Sequence, residues 1–256
     1  MIEVSVTSNV ADVIRRLNQV QRKQVPFATA LALTKTAQAV RAAEYKELQA
    51  KIDRPTQYTL NSLFLEGAKP SKLYARVWLK DAAGKGGTPA TKYLGPLVSG
   101  GDRSLKGFER ALARIGVLPQ GMAAVPGKAV TLDGFGNFPK PLLIQLLSYF
   151  RAFGEQGFKA NITDKRRDKL RKGTKAKRGF TYFALRQARG KLLPGIYRRT
   201  DFGELGSAVE PILIFVPDIP NYERRIDFYG VANKVQRAVF DAEFGKAMAQ
   251  ALATAR

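Results

Sequence analysis

Two hydrophobic periods run along the chain, and they predict both helices and strands. Apolar residues alternate with polar ones, or run together between turn residues, in six segments that we predict as strands: Ile2–Thr7, Thr59–Leu65, Lys72–Leu79, Phe180–Arg186, Gly195–Arg199 and Pro211–Val216. Helical spacing or a run of good helix formers predicts helices in five segments: one after Asn9 that ends or bends at Pro26, then Phe27–Ala50, Leu105–Ile115, Pro141–Phe153 and Glu223 onward.

The order of these elements predicts an α+β fold in which long N- and C-terminal helices pack on a mixed or antiparallel sheet. We expect one elaborated domain over residues 1–256. Residues 82–141 are rich in glycine and proline, and we predict an irregular insertion there that contains a short helix. The helix at Phe27–Ala50 is rich in small residues, which let another helix or a subunit approach closely. Its larger anchors are Phe27, Leu31, Val40 and Leu48.

The composition limits the chemistry that the protein can perform. With 45% hydrophobic and 25% charged residues, the chain is typical of a globular protein. It has no Cys and no His, which excludes disulfides and thiolate chemistry and removes the usual general base. No signal peptide is evident, and the longest apolar stretch, Leu142–Phe150, is far shorter than the roughly 20 residues of a spanning helix. We therefore expect a soluble protein made in a cytoplasm, without a membrane partner.

Motifs for catalysis are weak. The nearest match to a phosphate-binding loop, Gly121–Ala129, has five residues rather than four between its glycines and lacks the hydroxyl that should follow the lysine. A magnesium-dependent nuclease needs carboxylates clustered on adjacent strands. The acids here are scattered on predicted helices, as at Glu44, Glu47, Asp241 and Glu243. We predict that the protein is not an enzyme and that it has no cofactor or metal site.

Positive charge is concentrated in one segment. The segment from Lys159 to Lys191 contains thirteen Lys or Arg residues but only two acidic residues, Asp164 and Asp168. The formal net charge of the whole chain is +22. Such density is typical of contact with nucleic acid, because each cation laid against a phosphate releases condensed counterions. A solvated loop is the alternative. We predict a basic arm or loop over residues 159–179, with phosphate contacts from Lys165, Arg166, Arg167, Lys169, Arg171, Lys172, Lys175, Lys177 and Arg178.

Two local structures fit this basic segment. Residues 163–172 suit either a helix or an extended arm, and mutual repulsion favours mobility until an anion is near. The aromatic residues Phe180, Tyr182 and Phe183 follow directly. Aromatic side chains beside a positive groove stack bases in single-strand binders, and the same residues also fit the core of a strand.

Nine short segments, spread over most of the chain, carry a further pattern. They are Arg22–Ala28, Tyr93–Leu94, Gly100–Arg103, Phe108–Arg110, Leu118–Pro119, Val125–Gly127, Gly195–Arg199, Ile212–Val216 and Tyr222–Phe228. Together with the opening strand and helix, they resemble the minor tail protein Z type of tail completion protein from long-tailed bacteriophages and prophages. None of the segments is a catalytic signature.

This resemblance implies a structural protein that acts late in tail assembly, at the end of the tail that joins the head or neck. It implies a homo-oligomeric ring around the channel for double-stranded DNA, which the ring contacts through phosphates. Its partners would be tail tube or tail terminator proteins and head–neck connector proteins, in a virion assembled in the host cytoplasm. Two alternatives fit the same sequence: a free, sequence-independent nucleic-acid-binding protein and another head–tail connector.

Overall fold

The structure of this chain is a computed structural model that describes residues 3–7, 19–84, 87–154, 161–217 and 221–254, with the backbone alone for residues 3–7 and 19–23. In chain order its elements are β1 (Glu3–Thr7), α1 (Gln19–Lys51), α2 (Gln57–Leu60), β2 (Leu63–Glu66), β3 (Tyr74–Leu79), α3 (Ala90–Ser99), β4 (Gly101–Asp102), α4 (Gly107–Arg114), β5 (Ala123–Pro126), α5 (Lys140–Tyr149), α6 (Asp164–Lys172), β6 (Phe180–Leu185), β7 (Gly195–Asp201), a 3-10 turn (Gly203–Leu205), β8 (Ser207–Val216), β9 (Asn221–Tyr222) and α7 (Phe228–Ala253). The α+β class predicted from the sequence is confirmed.

These elements form two units. The first unit comprises Met1–Gly101 and Tyr222–Arg256, and the second comprises Asp102–Asn221. The sequence predicts one elaborated domain over residues 1–256, whereas the structure divides that range because each unit encloses its own set of buried apolar side chains. Hydrophobic periodicity finds the elements but does not show which core each of them joins.

The first unit contains the long helices α1 and α7 and a three-stranded antiparallel sheet. Strand β3 lies between β1 and β2, and Val77 is opposite both Val4 and Leu65. Helix α1 contacts β2 and β3, and its Leu33 and Leu48 are fully buried in the core of this unit. Helix α7 runs against α1. The buried residues at that contact are small, which lets the helix backbones approach closely: Ala28, Ala32 and Ala247.

The sequence predicts that a first helix ends or bends at Pro26; the helix does not end there, because α1 continues through this proline from Gln19 to Lys51. A proline in a helix removes one backbone hydrogen bond and clashes with the preceding turn. Burial of the same face before and after it, at Val25 and Ala28, offsets that cost. The start of the predicted first helix, up to residue 18, lies outside the described residues.

The second unit is built on a four-stranded antiparallel sheet in the order β5-β8-β7-β6. Its core joins Leu112 of α4 and Leu146 of α5 to Ile196 of β7 and Ile212 of β8, all of them fully buried. The register shifts at Ile196 and Tyr197, and this bulge increases the twist of the sheet.

The predicted irregular insertion at residues 82–141 contains more regular structure than one short helix. Helices α3 and α4 and strand β5 all lie within it. The sequence does not predict helix α3, because Gly95 and Pro96 lie in the middle of it and both residues disfavour a helix. Its residues Ala90, Leu94 and Val98, spaced four apart, nevertheless form one buried face.

A buried ion pair organises the start of the second unit. The carboxylate of Glu109, which is fully buried, accepts hydrogen bonds from both terminal nitrogens of Arg103 at 2.6 and 2.7 Å. It also accepts the backbone N–H groups of Lys106 and Ala124, at 2.5 and 2.9 Å. Burial alone raises the pKa of this carboxyl, but the hydrogen bonds from Arg103, Ala124 and Lys106 outweigh it and hold the pKa below its usual value.

We predict that Glu109→Gln destabilises the second unit by about 3–5 kcal/mol, because it removes the charge of the buried carboxylate that pairs with Arg103 and accepts two backbone N–H groups. The measurement is urea unfolding followed by circular dichroism. The matched control is Glu210→Gln, which removes the partner of Arg198 from a half-exposed pair and should cost less than about 1 kcal/mol. Equal losses in the two variants would contradict the structural role of Glu109.

Glu44 is a second buried carboxyl, in the middle of α1. Its side chain is fully buried, and neither carboxyl oxygen has a hydrogen-bond partner in the described part of the chain. Burial, assisted by the charges of Glu47 and Asp227, raises its pKa from 4.5 to about 8. The folded protein therefore keeps this carboxyl protonated at neutral pH, whereas the unfolded chain ionises it.

Because the folded state holds this proton more tightly, the stability of the first unit should fall as pH rises from about 4.5 to about 8. The loss reaches about 3 kcal/mol at pH 7, at roughly 1.4 kcal/mol per pH unit. Glu44→Gln should remove it, so the variant gains stability over wild type as pH rises from 5 to 8. The fluorescence of Trp78, the single tryptophan, follows this unfolding in β3. The control is Asp241→Asn, which changes an exposed acid of α7; an equal effect of the two variants would contradict the role of Glu44.

Candidate nucleic-acid interface

The basic segment, predicted as an arm or loop over residues 159–179 with a helix as one of two possibilities for residues 163–172, is a short helix followed by a tight turn. Thr163 caps the N-terminus of helix α6, and its hydroxyl accepts a hydrogen bond from the backbone N–H of Arg166 at 3.3 Å. Asp164 lies in its first turn and three cations lie in its last, so both ends complement the helix dipole. The helix ends at Gly173, whose φ of 72° is unfavourable for other residues. Lys159 lies outside the described residues.

Arg167, one of the predicted phosphate contacts, is half-buried and packs α6 against Tyr149. Its guanidinium lies over the ring of Tyr149, with the central carbon 4.5 Å from the ring centre, and donates a hydrogen bond to the Tyr149 carbonyl at 3.2 Å. Leu170, on the same side of the helix, packs against the core of the second unit. These two contacts determine which side of α6 faces solvent.

Three lysines share the opposite side of α6. Lys165, Lys169 and Lys172 follow the spacing i, i+4, i+7, which places them on one helical face over about 10 Å. All three are exposed, as is the neighbouring Arg166. The sequence contains this spacing, but only the packing of the half-buried Leu170 and Arg167 identifies the lysine face as the outer one.

The turn after α6 adds further cations. Thr174 and Lys177 exchange backbone hydrogen bonds of 2.8 and 3.2 Å, which places Lys175 at the tip of a tight turn. The backbone of the helix end touches the start of β6, and a Cβ atom at Gly179 would overlap the carbonyl of Arg171. Both lysines of the turn are therefore held in position beside α6.

Among the described residues, the two carboxylates of the segment pair with two arginines. Asp164 pairs with Arg151, and Asp168 lies 3.4 Å from Arg171. Arg178 lies over the ring of Phe202, with the guanidinium carbon 4.5 Å from the ring centre. Six exposed cations of α6 and the turn have neither a carboxylate partner nor an aromatic ring contact among the described residues, and we call them the basic cluster: Lys165, Arg166, Lys169, Lys172, Lys175 and Lys177.

The contact of Arg151 with Asp164 is not evident from the sequence. Arg151 has a positive φ of 57°, at the end of α5, and its side chain reaches the first turn of α6. Positive φ is uncommon for any residue except glycine, and nothing in the local sequence marks this position. The contact links the end of one helix to the start of the next.

The aromatic residues beyond the turn do not form a common stacking surface. Phe180 and Tyr182 pack in the core of the second unit. Phe183 faces the other side of the sheet, where it stacks on Tyr197 at 5.5 Å. There it lines a groove of about 380 Å³ together with Arg189 and Arg199. The strand-core interpretation thus holds for two of the three residues.

Neither the segment that resembles a phosphate-binding loop nor the described acidic residues have the geometry that phosphate-loop binding or a magnesium site needs. Strand β5 occupies Ala123–Pro126, within the segment that resembles a phosphate loop, and the next helix in the chain begins only at Lys140. A phosphate loop instead leads directly into a helix N-terminus. Within the described residues there is no group of three or more acidic, His or Cys side chains that is able to hold a metal ion.

Comparison of the chain with protein-family models, with curated proteins and with solved structures found no match. None of the described helices is long and apolar enough to cross a membrane.

Proposed function

We propose that this protein is a structural component of a bacteriophage virion that completes the head-proximal end of the tail. In this proposal it joins the tail to the head or neck as a ring around the DNA channel. The observation that carries the contact with DNA is the basic cluster, in which six exposed cations on one helix and one turn lack carboxylate partners among the described residues. Binding to phosphates alone needs no more than such a surface.

The chemistry of the cluster suits DNA that has to slide. Five of its six members are lysines, whose ammonium groups are compact point charges on flexible stems. Such groups attract a phosphate backbone without the bidentate geometry by which arginine reads guanine. Many weak contacts of this kind allow DNA to move along its axis.

The structural role is supported by the resemblance of the chain segments described above. Two of those segments, Gly100–Arg103 and Phe108–Arg110, contain the partners of the buried Arg103–Glu109 pair. This part of the resemblance therefore concerns residues that build a scaffold rather than residues of a catalytic site. A scaffold is what a ring component requires.

A free, sequence-independent nucleic-acid-binding protein is the second candidate, because the same basic cluster is exposed on a single chain. The two candidates differ in affinity before assembly. A free binder should hold duplex DNA tightly as a monomer or dimer with a steep salt dependence, whereas a ring component should bind weakly until many copies are assembled.

We predict that the triple variant Lys165→Gln, Lys169→Gln, Lys172→Gln binds duplex DNA more weakly than wild type. The slope of log K against log salt should be smaller by about 2–3, because about 0.9 counterion is released per phosphate contact. Fluorescence anisotropy with a labelled random duplex, between about 50 and 200 mM salt, measures the slope.

The control for this variant removes the same charge elsewhere. Arg41→Gln, Lys46→Gln, Lys234→Gln changes three exposed cations of α1 and α7 and should leave the slope nearly unchanged. If both triple variants reduced the slope equally, binding would depend on net charge alone, and the basic cluster would not be the site.

We predict that a phage lacking this protein accumulates separate heads and tails, and that the protein is present at the head–tail joint of intact particles. Electron microscopy of particles from the deletion mutant, with and without the wild-type gene supplied in trans, tests this role. Normally joined particles in the deletion mutant would contradict it. Joined particles that retain DNA poorly, obtained with the triple lysine variant, would support contact between the cluster and DNA.

A further inference from the structure

Two large apolar side chains of α1 that the sequence predicts as core anchors lie on the surface. Phe27 is 60% exposed and Leu31 is 37% exposed, whereas the other two anchors, Val40 and Leu48, are buried. Phe27 and Leu31 are four residues apart, so they lie on the same helical face. Large apolar side chains that are exposed next to one another form a patch, and such patches often mark interaction sites.

Beside these side chains, α1 and α7 enclose a shallow groove of about 420 Å³. Its floor is formed by the small residues Ala28, Ala247 and Ala251, and Phe27 stands at its edge. A protruding aromatic ring thus adjoins a depression that small side chains leave open. Apolar residues spaced along a helix beside such a groove are typical of helix-to-helix docking.

The groove is uncharged in a chain that is strongly charged elsewhere. None of the described residues that line it is acidic or basic, and its polar members are Gln24, Gln250 and Thr254. The sequence has no charged residue from Gln24 to Thr34 or from Ala247 to Thr254, although 25% of all residues are charged. We call this face of α1 and α7 the neutral surface.

We infer that the neutral surface is where a second copy of this chain docks, with Phe27 of each copy covered by its neighbour. Two copies with a formal net charge of +22 each repel one another. Close contact is least unfavourable where neither copy presents a charge and apolar area is gained. An acidic partner protein, by contrast, would be expected to dock where cations are exposed.

This inference assigns a surface to the homo-oligomer in the proposed function, and it rests on that proposal only for the biological setting. Self-association through the neutral surface and DNA binding through the basic cluster should respond oppositely to salt. Screening weakens repulsion between like-charged copies, so self-association increases with salt, whereas DNA binding decreases. If either self-association or DNA binding is not observed, the other can therefore still be tested.

Analytical ultracentrifugation of the full-length chain tests the inference. We expect association at micromolar concentrations that strengthens between about 0.1 and 1 M salt, as the screening length falls from about 10 to about 3 Å. Phe27→Ser and, separately, Gln250→Arg should each raise the dissociation constant at least about tenfold. Both positions are exposed, so thermal unfolding of the variants should match that of wild type.

The control is Phe64→Ser, which removes a phenylalanine that is 49% exposed on β2 of the same unit. It should leave the dissociation constant unchanged. A chain that stays monomeric at every salt concentration would overturn the inference, as would equal weakening by Phe27→Ser and Phe64→Ser. Association that persists in Gln250→Arg with unchanged affinity would place the contact elsewhere.

Discussion

The second unit depends on the ion pair and hydrogen bonds that the buried carboxylate of Glu109 makes. It joins Arg103 and the first turn of α4 to the backbone of Ala124 in β5. Strand β5 pairs with β8, β8 with β7 and β7 with β6, and β6 in turn contacts α6. A continuous sheet thus connects the basic cluster to the carboxylate of Glu109. Burying this carboxylate without its partners would cost free energy.

The use of acidic residues explains why so much positive charge stays exposed. The chain has 21 Asp and Glu against 43 Lys and Arg. Several of these acids serve structural contacts within a unit, as Glu109 does with Arg103 and Glu66 does with Lys72 and Arg76. On α6, the contacts of Asp164 and Asp168 leave the lysine face without a counter-charge. The excess charge is consequently available for a polyanion on a surface that is already folded.

Charge and apolar area are distributed unequally between the two units. The second unit carries the basic cluster, whereas the first carries two long helices with uncharged stretches and an exposed phenylalanine. Proteins that assemble around nucleic acid need both a surface that attracts phosphates and a surface on which like-charged copies meet. In the proposed function, the two surfaces lie in different units, so each can keep the composition that its contact would require.

The sequence alone determined the α+β class, most strands, the two long helices and the location of the excess charge, because periodicity and composition are local properties. It did not determine the division into two cores, the passage of α1 through Pro26, or the exposure of Phe27, since each depends on which distant segments pack together. In the same way, all nine predicted phosphate-contact residues are equivalent in the sequence. Only tertiary structure placed Arg167 on the ring of Tyr149, Arg171 beside Asp168 and Arg178 over Phe202, while the six cations of the basic cluster have no such partner among the described residues. The packing of Leu170 against the core decides which side of α6 meets solvent.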